Sequence, residues 1–331
     1  MYGPRKMLNM LILRILQMES DEKHPLLQKE IMNQLEEKYS VECDRRSVTN
    51  NIRSLRELGY DIDVIRGKGC YLRTRELTES EIRLLIDSIF ASPSLSDEEA
   101  HKLALKLAGF GNKYFKSHVS YIHTVSKKKH TDNKNVMDSI AKLDEAIARG
   151  KKVSFRYLRY GLDLKMHPCR DERYVVSPYQ MINNRGKYYL IGNYEPYTTL
   201  SNYRIDRMTD VKILPDPRKP QKEVEGLEAG LNLEQYLSEH VYMFSGKSTY
   251  ISFKTRDWMM DALMDSFGRI FHVKLLEGDE IEVSLTCNPD AFFYWAMQYG
   301  QYVEVLYPEN LRTRILDACR DMVKKYEIPG K

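Results

Sequence analysis

The 331-residue sequence is short of the features that mark several protein classes. Its five cysteines, Cys43, Cys70, Cys169, Cys287 and Cys319, are odd in number and widely separated. They form no C-x-x-C pair with metal-ligand spacing, so free buried thiols are expected. The eight histidines include no H-E-x-x-H, and His118 and His123 stand without carboxylate neighbours, which argues against a metal site. No apolar run approaches the roughly 18 residues that span a bilayer. The stretch Met1 to Arg14 carries no small-residue cleavage site after its apolar positions, so no membrane contact and a cytoplasmic location are expected. G-x-S-x-G, Walker, zinc-site and paired-carboxylate patterns are all absent, and with them the commonest hydrolase and transferase signatures. No catalysis and no cofactor are expected.

What is present describes a globular chain of two or three domains: 42% hydrophobic and 30% charged residues, 23 tyrosines and a formal charge of +4. That charge is compatible with nucleic acid without requiring it, so its distribution matters more than its sum.

Apolar residues at helical spacing run from Met7 through Leu8, Leu11, Ile12, Ile15 and Leu16, predicting a helix over Arg5 to Met18. Pro25 suits a first helical position, with Leu27, Ile31 and Leu35 continuing to about Lys38. Asp44 can cap a third helix whose buried edge is Val48, Ile52 and Leu55, ended by Gly59. At 100° per residue the opposite face presents Arg46, Asn50 and Arg53, with Ser47 and Ser54 at its flank. Arginine can bond bidentately to guanine and asparagine to adenine, while Arg45, Thr49 and Arg56 sit where they can hold phosphates. Ile62 to Ile65 and Cys70 to Arg73 read as strands around Arg66-Gly67-Lys68-Gly69, a hairpin tip with two cations rather than a P-loop. A basic face on three short helices also occurs in domains that bind no DNA. The order of helix, helix, capped basic helix and cationic hairpin is nevertheless the winged helix-turn-helix layout. Asp44 to Gly59 resembles the recognition helix of DeoR-like regulators, with Asn50-Asn51 where that family usually has Arg-Asp.

Thr78 with Glu81, and Ser96 with Glu99, are capping-box pairs opening two bridging helices. The polar stretch from Ser126 through Lys127, Lys128 and Lys129 reads either as a solvated linker or as a phosphate contact, and Val136 to Arg149 as a further helix. Lys151 to Leu158 alternates as a strand with Val153, Phe155 and Tyr157 on one side. Strands at Tyr174 to Met181 and Lys187 to Gly192 flank the turn Asn183-Asn184-Arg185-Gly186, and another lies at Ser201 to Ile205.

Tyr188-Tyr189-Leu190, in place of a Trp-Tyr-Leu triplet, and Tyr203-Arg204-Ile205-Asp206-Arg207 resemble the two signatures of the WYL family. The resemblance implies a small Sm-like β-barrel that senses a ligand, nucleic acid in some members, and signals to the helix-turn-helix. From the residues themselves, tyrosine faces beside Arg204 and Arg207 offer stacking and a cationic clamp for a nucleotide or single-stranded nucleic acid. The candidate effector residues are Tyr157, Tyr179, Tyr188, Tyr189, Tyr203, Arg204 and Arg207. The alternative is that the tyrosines are barrel core and that Arg207 pairs with Asp206 or another carboxylate as structural glue.

Pro215 to Lys222 reads as a linker and Leu233 to Tyr242 as a short helix. Beyond Lys247 the order βαββαβ plus a helix over Glu309 to Tyr326 suggests a ferredoxin-like sandwich, with Trp295, Leu311 and Ile315 in its core. This unit resembles the C-terminal extension of WYL proteins. The expected class is therefore α+β multidomain: a winged helix-turn-helix over residues 1–75, a helical bridge over 76–135, a WYL-like barrel over 136–215, a linker over 216–246 and a ferredoxin-like extension over 247–331. The expected partners are a double-stranded DNA operator, an effector and a second copy in a homodimer, because two-fold operators pair with two-fold proteins. The rival reading is an accessory protein, acting on single-stranded RNA or DNA in a defence system.

Overall fold

A computed structural model describes residues 7–115, 130–195, 197–228 and 230–327. The chain is mixed α and β and divides into two compact units, Met1–Lys134 and Asn135–Lys331.

In the first unit, helices α1 (Leu8–Glu19), α2 (Gln28–Tyr39) and α3 (Arg45–Glu57) turn one apolar edge each toward a common core. Ile12, Ile15, Leu16, Ile31, Leu35, Val48 and Leu55 are almost wholly enclosed there. Strands β1 (Ile62–Ile65) and β2 (Gly69–Leu72) pair antiparallel, and Ile62, Cys70 and Leu72 close the core. Helix α2 begins three residues after Pro25, later than the sequence suggests. Leu26 is drawn into pairing with β2 instead, its N–H and carbonyl each bonding to Cys70 at 2.8 Å. The Glu30 carboxylate then accepts from the Leu27 N–H at 2.6 Å and starts the helix.

Helices α4 (Glu79–Ala91) and α5 (Asp97–Ala108) open on the expected reciprocal caps, Thr78 with Glu81 and Ser96 with Glu99. They pack through Ile82, Ile86, Ala104 and Ala108. The lysine run at 127–129, His118, His123 and Arg5 lie outside the described residues.

The second unit starts with α6 (Val136–Ala148), then strands β3 (Lys151–Tyr160), β4 (Met166–Pro168), β5 (Tyr174–Asn184), β6 (Lys187–Tyr194), β7 (Leu200–Arg204) and β8 (Met208–Pro217). They form one curled antiparallel sheet in the order β4-β3-β5-β6-β7, with β8 returning to pair with β3. α6 packs Val136, Leu143 and Ala146 against Val153, Phe155, Val176 and Leu190. Strands β4 and β8 have no counterpart in the sequence reading. β8 lacks clean alternation because its pairing with β3 shifts register twice and Asp210 sits at φ 53°, while its end has the composition of a proline-rich linker.

Residues 216–246, which read as a linker, contribute Val224, Leu227, Tyr236 and Met243 to a second core beneath Tyr179, Ile182, Ile191 and Leu200. Tyr236 lies on the short helix α7 (Leu233–Glu239). A four-stranded antiparallel sheet follows, built from β9 (Thr249–Arg256), β10 (His272–Leu275), β11 (Glu280–Cys287) and β12 (Glu304–Tyr307) in the order β10-β11-β9-β12. Helices α8 (Met260–Phe267), α9 (Pro289–Gln298) and α10 (Glu309–Tyr326) complete it. Phe253, Phe267, Phe292 and Trp295 fill the core, with Leu311 buried and Ile315 packed at its edge. All five cysteines are free thiols. Only Cys70 and Cys287 are buried, and burial pushes the Cys70 thiol up to about 11.

Candidate nucleic-acid and ligand surfaces

Helix α3 is placed by its cap. The Asp44 carboxylate accepts from the Ser47 N–H at 2.6 Å, and that bond holds its pKa below the ordinary range. With Val48, Ile52 and Leu55 locked into the core, Arg46, Asn50 and Arg53 emerge on the solvent face, all exposed, as do Arg45 and Arg56. Ser47 and Thr49 are half-buried. Thr49 is engaged locally: its hydroxyl donates to the Arg45 carbonyl at 2.9 Å and accepts from Gln28 Nε2 at 2.7 Å. Gln28 Oε1 in turn accepts from Arg45 Nε at 2.6 Å. Gln28, at the first position of α2, carries no signal in the sequence, because its value depends on the approach of α2 to α3 and not on any local pattern.

The β1–β2 hairpin carries Arg66 and Lys68 exposed at its tip. Arg66 borders the same hollow of about 260 Å³ as Arg45, Gln28 and Thr49, so the structure brings the hairpin and the start of α3 to one surface.

In the curled sheet the candidate effector residues separate. Tyr157 and Tyr203 are drawn into an aromatic cluster with Phe155 and Tyr174, ring centroids 5.4–6.3 Å apart. Burial raises both phenols, and the Tyr157 hydroxyl accepts the Arg204 N–H at 3.0 Å. Tyr179 is buried in the second core and donates to the Lys219 carbonyl at 2.8 Å. Tyr188 is exposed, whereas Tyr189, next along β6, is half-buried opposite Arg204 on β7.

Arg204 meets Asp206 side on, Nε to Oδ1 at 3.0 Å and Nη2 to Oδ2 at 2.5 Å. Asp206 therefore serves Arg204, where the sequence leaves a pairing with Arg207 open. Arg207, on a 3-10 turn over Ile205–Arg207, keeps its Nε enclosed with no hydrogen-bond partner among the described residues. Lys187 completes a cationic group, its amine held below the usual range by burial and by the charges of Arg204 and Arg207. Arg170 lies over the Tyr174 ring at 3.6 Å and the Tyr194 ring at 5.0 Å. It sits in a charge-rich connection without periodicity, and no sequence signal points to it.

Residues 138–213, which hold most of this sheet and most of α6, match the family model of the WYL domain. This segment of the chain is similar to a WYL domain. The matched span contains Tyr188-Tyr189-Leu190 and Tyr203 to Arg207, the two segments that carry the resemblance. No curated protein matches the chain. Among solved structures it is similar to proteasome accessory factor B/C (PafBC) of Arthrobacter aurescens at 13% identity and a TM-score of 0.28, covering 97% of this chain and 49% of that one. The chain thus spans about half the length of that relative. It is also similar to a CRISPR Cas-related protein at 13% identity and a TM-score of 0.37, covering 98% of this chain and 86% of that one. Among the described residues, no helix is long and apolar enough to cross a membrane.

Proposed function

We propose that this protein is a ligand-responsive, DNA-binding transcriptional regulator of the cytoplasm that carries no catalytic activity. The observation that carries the reading is α3: a capped helix whose buried edge fixes its rotation while Arg46, Asn50 and Arg53 face solvent. Those side chains have the donor and acceptor pattern that reads guanine and adenine edges in a major groove. Residues 1–75 act as a winged helix-turn-helix, with Arg45 and Thr49 on phosphates and Arg66 and Lys68 of the hairpin on the adjacent backbone. The curled sheet acts as an Sm-like barrel that binds an effector, and the C-terminal βαββαβ unit as a ferredoxin-like extension. The protein works as a homodimer on a two-fold operator. Size-exclusion chromatography with light scattering that gives only monomer, with and without DNA, would remove that part of the proposal.

The test is fluorescence anisotropy on the gene's own upstream duplex, a random duplex and a single strand across a salt series. The reading expects preference for the upstream duplex, a steep salt dependence and loss of that preference in Arg46→Ala. A second reading, an accessory binder of single-stranded RNA or DNA, draws on the enclosed, unpartnered Nε of Arg207. It expects no duplex preference and tight single-strand binding that disappears in Arg207→Ala.

A further inference from the structure

Within the second unit a cleft of about 500 Å³ opens between the β5–β6 hairpin, the segment around Tyr242 and helix α9. That volume is within the range of small-molecule sites. Among the described residues, none that line it is a carboxylate, and two are cations, Arg185 and Lys187. The hairpin turn sets them: Arg185 takes a left-handed φ of 52°, and the Gly186 N–H bonds Asn183 Oδ1 at 3.1 Å. Arg185 then rests its guanidinium 5.3 Å from the Tyr242 ring and donates to the Asp265 carbonyl at 3.5 Å. Lys187 is partly buried beside two further positive charges, Arg204 and Arg207, against the carboxylate of Asp206. The result is an excess of positive charge in a half-enclosed space, which an anion would relieve.

The remaining wall is aromatic. Phe244 and Tyr294 stack with centroids 5.5 Å apart and planes 18° from parallel, and Tyr189 lines the cleft as well. Gln298, one turn beyond Tyr294 on α9, adds an amide able to donate and accept. Flat π faces beside clustered cations, with an amide at the side, match a planar heterocycle joined to a phosphate.

We propose that this cleft binds a nucleotide, a base with an attached phosphate, either free or at the end of a single strand. Arg185 and Lys187 hold the phosphate, Tyr294 stacks on the base and Gln298 meets its edge. The site is therefore completed by the C-terminal unit, outside the residues that match the WYL family. The proposal rests on the ligand-responsive reading above and gives it a location and a ligand class.

The experiment uses the full chain, with fluorescent nucleoside monophosphates and labelled eight-residue single strands with or without a 5′-phosphate. Arg185→Gln/Lys187→Gln and Tyr294→Ala are each expected to weaken binding about tenfold or more, the scale of one lost stack or phosphate contact. Tyr294 is 54% exposed, so its removal keeps the test valid should the double variant fold poorly. Binding of monophosphates identifies a free nucleotide, and binding of strands alone, dependent on the 5′-phosphate, identifies a strand end. Affinity unchanged in both cleft variants but lost in Arg207→Ala overturns the cleft while leaving a ligand-responsive protein. Binding of neither probe overturns the nucleotide assignment, and the upstream-duplex measurement still decides the regulator reading.

Discussion

Arg204 and Asp206 form a fork within one turn of chain, two parallel hydrogen bonds at 3.0 and 2.5 Å around a carboxylate that is only 1% exposed. Burial by itself pulls the Arg204 guanidinium down, and the Asp206 contact more than offsets it, leaving Arg204 above its ordinary value. Asp206→Ala would strand a guanidinium that is four-fifths buried. Removing one partner of such a pair costs about 3 kcal/mol or more. Calorimetry should show the second unit melting several degrees lower, whereas a variant melting with the parent would mean that water replaces the carboxylate without loss.

Gln28 joins α2 to α3 through Arg45 and Thr49, with bonds of 2.6 and 2.7 Å. Gln28→Ala leaves the apolar core untouched, so stability should change by no more than about 1 kcal/mol. If Arg45 holds a phosphate, freeing its side chain costs affinity for every duplex about equally, several-fold, without altering sequence preference. Anisotropy on the upstream and random duplexes separates the outcomes: a change in the ratio between them would mean that Gln28 acts on base reading instead.

The fold is legible in the sequence where one local rule decides the outcome. Asp44, Thr78 and Ser96 each set a helix start by a bond three residues long, and the stripe through Val48, Ile52 and Leu55 sets which side of α3 faces out. Legibility fails where a distant strand overrides the local pattern. Leu26 pairs with Cys70 of β2 instead of joining a helix, and Met208 to Pro217 becomes a strand only because β3 supplies its bonds. The aromatic motif points to Tyr157, Tyr179 and Tyr203 as ligand contacts from composition alone, and the structure buries Tyr179 and Tyr203 and packs a half-buried Tyr157 against the core. Arg170, Arg185 and Lys187 gain their places from turns and neighbours with no signature in the chain itself.

Glu19, last residue of α1, carries negative charge where the helix dipole disfavours it. Burial also penalises the charge, but Lys113 at 2.7 Å and Lys38 at 2.5 Å outweigh both and hold the carboxyl below its ordinary value of 4.5. A carboxyl depressed in the folded state contributes stability above its unfolded pKa and loses it as pH falls through the folded one. Glu19→Gln should therefore be less stable than the parent near neutrality, by about 1–2 kcal/mol with both lysines nearly half exposed. Denaturant titrations of the two proteins should converge as pH drops below about 4.5. A gap that stays constant with pH would assign the loss to packing.

The two glycines of the hairpin tip answer to different constraints. Gly67 sits at φ 79° with open space where a Cβ would stand, so Gly67→Ala meets only the left-handed backbone penalty of about 1–2 kcal/mol. Gly69 is at φ 116° and lies against the backbone of Leu26 and Leu27, where a Cβ would fall inside van der Waals contact with the Leu26 carbonyl. That approach is what lets Cys70 pair with Leu26 and seat the hairpin on the core. No side-chain rotation can relieve a clash with main chain, so Gly69→Ala must pull the hairpin away, exposing Cys70 and displacing Arg66 from its place beside Arg45. Thiol labelling under native conditions should then reach Cys70 rapidly in Gly69→Ala and remain slow in Gly67→Ala. Equal, slow labelling in both would show that the hairpin holds its seat without the close contact.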